Sequence, residues 1–547
     1  MLPVFSSPAA GHNAAISISL MALLFISCSS SSPTIQHLEV DLDPSDTVPL
    51  SAEVSFNTSQ ATTVALEFVE GDRSWIVDTN LPVDTKHVVP ILGMRAGRTH
   101  KVTVVVSNSA GQTERSEPIE IKTDPLPEDF PPIEIKVSQP DKMEPGFTFI
   151  EPTYVPVDDS KRPNDWIIAL DEDGEVVWYY KTPPGVADTQ RLENGNLIFT
   201  AKNVGIFEID MLGNIISHWY SNLAKEDQIY EDSIHVDTDT LHHEFAVRKS
   251  GNILAISTEV RKYDNYPTSE TDPDAPKATD NVIGDVIVEF DRGGNIVREI
   301  KLLDIIDPYR IGYGSLNGRY WQGLYGHVGG TPRDWSHANS VSLDEEERFA
   351  LFSMRYQNAV LKLDLETNEI VWIMGDHTGW GPDWQPLLLK PKGELTWHAD
   401  QHAPMNTPEG TILLFDNGMN RALPFNPKLP VSESRSRAVE YRIDEENREV
   451  EEIWSYGDKP GDERYYAWRV GDADWMPQTG NVLINFGGLT YDKNDNFGNG
   501  VNRFNWIRIV EVTRTTPAEK VFELKISDKR PAGWLSFQAE RLPSLYP

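Results

Sequence analysis

Three histidines and one arginine carry the chemistry this sequence offers. His243 stands eight residues before Gly251 and His402 eight before Gly410, each ahead of a strand-like phrase (GNILAIST, GTILLFDN), and His337 holds the matching place before ERFALFSM. Asp474 stands six before Gly480 of GNVLINFG. Residues at one position of successive repeats meet when the repeats surround an axis, so the spacing predicts three imidazoles in one pocket. Two chemistries suit such a ring. Three neutral imidazoles with an open fourth position make a hydrolytic zinc site. Alternatively, one imidazole attacks an anionic ester while the other histidines, Asn339 and Arg355 donate hydrogen bonds to its oxygens. Arg355 favours the second, because a planar guanidinium matches a sulfuryl or phosphoryl group and repels a cation. An ordinary salt bridge between repeats is the competing role for Arg355.

Short strands must position these residues. From Ile133 onward one phrase returns: DEDGEVVW at Asp171, DMLGNII at Asp210, DRGGNIV at Asp291, DLETNEIVW at Asp364, DEENREVEEIW at Asp444 and, more loosely, EVTRTTPAEKVF at Glu511. Each reads as a strand, a tight turn and a returning strand. Six such hairpins, without helical periodicity, predict an all-β, six-bladed β-propeller over residues 133–547. Two stretches between repeats, Arg261 to Ile283 and Asp304 to Asp334, read as long surface loops, the second as a rim of the site. Its aromatic residues Tyr313, Tyr320, Trp321 and Tyr325, with Trp335 just beyond, suit an aryl ligand.

Residues 34–123 alternate apolar and polar side chains between turn signals and predict a small β-sandwich of fibronectin III type, with Val102, Val104 and Val106 facing inward. Residues 124–132 hold four prolines and read as a linker. At the start, the apolar run Ile16 to Ile26 is too short to span a bilayer and reads as a signal peptide (1–28) followed by a serine-rich tether (29–33). Cys28 is the one cysteine. Its setting resembles a lipoprotein signal, so export and membrane attachment through a lipidated Cys28 are expected. With 84 acidic against 49 basic residues and a formal net charge of −35, nucleic acid is an unsuitable partner. A small anionic substrate would need a locally positive pocket.

Several motifs together resemble the bacterial arylsulfate sulfotransferases of the periplasmic, nucleotide-independent kind: LHHEF at Leu241, HANS at His337, RYQNAVLKLD at Arg355, DQHAP at Asp400, LLFDNG at Leu413, SRAVEYRID at Ser436, GDADWMP at Gly471 and the tail QAERLPSLYP. The resemblance implies transfer of a sulfuryl group from an aryl sulfate to a phenolic acceptor by double displacement. It implies His402 as the nucleophile that becomes a sulfohistidine, with His337, Asn339 and Arg355 holding the sulfuryl oxygens. The remaining family histidine matches His242 or His243; alternation of side chains and register with His402 favour His243. No metal, no nucleotide cofactor and a homodimer are further implications. A metal-dependent propeller hydrolase or lactonase, and a ligand-binding propeller without catalysis, are the alternatives. For the transferase, the rate is expected to fall in acid as His402 protonates.

Overall fold

The computed structural model describes residues 31–155, 164–202, 204–459, 461–491, 504–527 and 532–547. The segment read as a signal peptide, Cys28 included, and the first residues of the tether lie outside the described residues. The regular structure of the described chain is nearly all strand; its longest helices have four residues, and no helix is long and apolar enough to cross a membrane.

The turns follow from the repeated aspartate. Asp171 Oδ1 accepts the backbone N–H groups of Asp173 and Glu175, both at 3.0 Å, and Asp210 and Asp291 do the same for their own turns. A side chain that satisfies the turn's own donors fixes the reversal locally, before any tertiary packing.

Seven strands between Ile35 and Lys122 pair among themselves, with the long strand Ala52–Glu70 at the centre. Val102, Val104 and Val106 are fully buried there, as their alternation predicts. This module is not insulated from the remainder of the chain, since its apolar core continues into Trp178, Phe199 and Leu545.

Beyond it, strands Val186–Arg191, His242–Val247, Ala338–Leu343, His402–Asn406, Asp472–Trp475 and Ala532–Leu542 each begin or end a sheet path or a run of four paired strands. Each touches the next in that order, and the last returns to the first. These six strands therefore enclose a common axis. The ring closes by pairing the first strands after the N-terminal module with the last strands of the chain: Ala532–Leu542 runs antiparallel to Phe147–Tyr154, and Ile133–Ser138 to Lys520–Ser527.

The first of the two expected surface loops is largely strand. Much of Arg261 to Ile283 is not loop, because Ile253–Tyr266 and Ala278–Phe290 extend a single hairpin through it. Its Asp and Pro residues crowd the tip, while Val282 and Ile283 are buried. Residues Asp304 to Asp334 are largely irregular, with short helical turns.

Trp534 sits in the closing strand, fully buried, edge-on to Tyr154 at 5.1 Å between ring centroids. Truncating it leaves a cavity at the seam, so Trp534→Ala should lower unfolding free energy by about 3–5 kcal/mol, read as a lower urea midpoint; an unchanged midpoint would argue against closure at this seam.

Candidate active site

Irregularities in the strands at the axis build the site. Pairing register breaks between Ala187 and Thr189, His242 and Phe245, Ala338 and Ser340, His402 and Met405, and Ser536 and Ala539. Such bulges bend the strand and re-aim its side chains. At or beside them Asp188, His243, His337 and Ala403 take left-handed φ values of 47°, 55°, 45° and 49°, which cost non-glycine residues roughly 1–2 kcal/mol each. Buried carboxylates on neighbouring sheets satisfy donors that the bulges expose. Asp188 Oδ2 accepts Phe245 N–H and Asp285 Oδ2 accepts Ala338 N–H, both at 2.7 Å. The result is one cavity of about 730 Å³ lined by His243, His337, His402, Arg355 and Phe537.

His402 is held in one tautomer. Its Nδ1 faces two acceptors, Asn417 Oδ1 at 2.7 Å and the Asp400 carbonyl oxygen at 3.2 Å. Asn417 cannot present its nitrogen instead, because Nδ2 donates to the carbonyl oxygens of Ala467 and Val470 at 2.8 Å. Nδ1 therefore carries the proton and Nε2 the lone pair. Burial, reinforced by the Arg355 charge, pulls the His402 pKa down to about 3, so the ring is neutral near pH 7.

The other two imidazoles are backed in different ways. His337 Nδ1 lies 2.6 Å from Asp334 Oδ2. Burial holds His337 well below the ordinary histidine range, with Arg355 adding to it, and lifts Asp334 to about 8. His243 Nδ1 lies 2.6 Å from His242 Nδ1, and His242 Nε2 faces the Ser257 carbonyl oxygen at 3.4 Å. Asp285 Oδ1 also lies 3.5 Å from His242 Nε2, and one of the two facing Nδ1 atoms donates to the other. His243 and His337 pack edge to face at 5.3 Å, and Phe537 lies 5.7 Å from His243 and 6.0 Å from His402.

Two candidate ligand-contacting residues do not reach the cavity. His242 is buried behind His243 against Trp321, because the bulge turns only the second of the pair inward. Asn339 lies behind the wall, where its amide donates to the Gln401 carbonyl oxygen at 2.8 Å and so braces the residue before His402. Arg355 lines the cavity, and its Nε lies 3.3 Å from Asp400, a salt bridge between repeats. Of the five aromatic residues considered for an aryl ligand, Tyr320 alone lines the cavity; the others pack within the loop or beneath it. Asp474 lines a different cavity of about 440 Å³ with Asp188, Glu244, Asp472 and Glu540. The sequence reading missed Asn417, Lys202, Tyr356, Trp468 and Phe537. Asn417 stands within LLFDNG, but neither spacing nor residue type shows that it meets His402. Among the described residues no three His, Cys, Asp or Glu side chains are grouped to hold a metal ion.

The family described as arylsulfotransferase (ASST) matches residues 133–538, and its Ig-like domain matches residues 39–124. The chain belongs to the arylsulfotransferase family. Arylsulfate sulfotransferases of Lelliottia amnigena and Escherichia coli are 30% and 29% identical to it over 225 and 246 residues, 34% and 38% of this chain. Those alignments span 36% and 40% of the relatives' own length. A periplasmic gluconolactonase of Pseudomonas aeruginosa overlaps with a TM-score of 0.31 at 9% identity, over 87% of this chain and 99% of that one. In this family member the cavity histidines come from three separate sheets.

With histidine-selective ¹⁵N labelling, the His402 signal should report the Nδ1–H tautomer and show no protonation from pH 7 to pH 5, well above its lowered pKa. Asn417→Leu should lose that tautomer bias; an Nε2–H signal in the unmodified protein would refute the assignment.

Proposed function

We propose that this protein moves a sulfuryl group from an aryl sulfate to a phenol in two displacements at His402, within a six-bladed propeller whose blades are the sheets around the axis. Family membership supports aryl sulfate transfer. The observation that carries the mechanism is the neutral His402 imidazole, locked by Asn417 with Nε2 as its free nucleophilic nitrogen, in a cavity that Arg355 also lines.

In the first displacement the Nε2 lone pair forms an N–S bond as the S–O bond to the aryl oxygen breaks. Such transfers have loose transition states by analogy with phosphoryl transfer, so charge placement matters more than covalent assistance. Arg355 sits where it can neutralise the sulfuryl oxygens. Entry of the anionic ester favours protonated imidazole, and a proton taken up by His243 or His337 passes to the departing phenolate oxygen. In the second displacement the acceptor hydroxyl attacks sulfur, the N–S bond breaks and the same histidine receives the acceptor's proton. Asn339 supports the nucleophile through Gln401, and His242 supports His243. Export with lipidation at Cys28, and pairing into a homodimer, accompany this reading as expectations.

Incubation with an aryl sulfate and a phenol should give sulfuryl exchange without added metal or nucleotide. His402→Ala should abolish it, and undiminished transfer by that variant would overturn the proposal. Loss of activity on chelation would favour the metal-dependent hydrolase. Arg355→Gln should lower kcat/KM by roughly 10²–10³-fold, the range for losing one donor to developing charge. An unshifted imidazole near 6.5 loses its neutral form rapidly below pH 6. Because the His402 pKa is drawn down to about 3, loss of the nucleophile in acid should begin far lower, and kcat/KM should not fall between pH 6.5 and 5 through His402. A steep loss of kcat/KM in that interval would count against a lowered His402 pKa.

A further inference from the structure

The charge around the histidine cavity runs against that of the chain. Acidic residues outnumber basic ones 84 to 49, yet the described lining contains Lys202, Lys225, Arg319, Arg355 and Arg469 and no aspartate or glutamate. Two of these cations lie with the histidines. Arg355 depresses the pKa of both His402 and His337, and Lys202 Nζ lies 3.7 Å from the centre of the Tyr320 ring, which stacks on His243. Those two suffice for the single negative charge of a sulfate monoester.

Arg319 and Lys225 are exposed, as a rim requires. Among the described residues no carboxylate lies within ion-pair distance of either, although Glu226 and Asp227 follow Lys225 in the chain without lining the cavity. Exposed arginines elsewhere do find acids: Arg98 pairs with Glu70 and Glu175, and Arg348 with Asp364. Rim cations of this kind act on partner choice and association rate more than on chemistry. Tyr320, Tyr356, Trp468 and Phe537 also line the cavity, surfaces suited to an aromatic ring.

Resting on the transfer reading above, we propose that the preferred donor is a dianion: an aryl sulfate whose ring system bears a second anionic group, engaged by Arg319 and Lys225 while the sulfuryl group lies at His402. A carboxylate is the simplest such group.

The test compares methylumbelliferyl sulfate with its analogue in which a carboxymethyl group replaces the methyl, using one phenol as acceptor. At low ionic strength kcat/KM should favour the carboxylate-bearing donor by roughly tenfold, and high salt should shrink the preference because exposed charges are screened. In the double variant Arg319→Gln, Lys225→Gln the ratio should approach one; being a ratio, it is insensitive to the fraction of folded enzyme. Transfer without preference, or a preference that survives in the double variant, overturns this proposal alone. No transfer from either donor overturns the sulfotransferase reading and this proposal with it.

Discussion

A left-handed turn of the backbone, repeated where strand after strand approaches the axis, is the constraint on which the site depends. Regular strands alternate their side chains between faces, which would scatter the histidines. The bulges bring His243 and Phe537 inward, and the adjoining left-handed residues set His337 and His402 beside them. Such conformations persist only where the surroundings over-determine them. Here carboxylates from neighbouring sheets do so, Asp188 binding Phe245 N–H and Asp285 binding Ala338 N–H. Sheet-to-sheet contact and active-site geometry are therefore the same interaction seen from two sides.

The buried acids make that arrangement electrostatically uneven. Burial raises Asp285 to about 8 and Asp188 to about 7, the expected response of carboxylates taken out of water. Asp188 and Asp472 also line the acidic cavity, while the histidine cavity has a cationic lining. An acidic chain thus presents a positive pocket without becoming basic overall, which suits an anionic ligand.

The hairpins and the histidine register were legible because they are local or periodic. Asp171, Asp210 and Asp291 cap their own turns, so the repeat announces itself in the residues that form it. The choice between His242 and His243 was framed by alternation, but the bulge decided it. Asn339 followed the motif to the right place in the chain yet bonds a backbone carbonyl behind the wall. Asp474, six rather than eight residues before its glycine, lines another cavity, and its strand pairs without the break that turns the others. The Arg261 to Ile283 stretch looked like loop because charge and proline at a hairpin tip resemble those of an irregular segment.

Residue type and order alone carry the β-repeat character, the acidic composition, and the set of imidazoles that share a repeat position. Those properties follow from residue type and spacing. The tertiary structure alone decided which nitrogen of His402 is left free, because Asn417 and the carbonyl oxygens of Ala467 and Val470 lie 15, 65 and 68 residues from it, taking 402 from 417, 467 and 470. A hydrogen-bond direction depends on where donors and acceptors meet in space, and no local pattern encodes a meeting between strands so far apart.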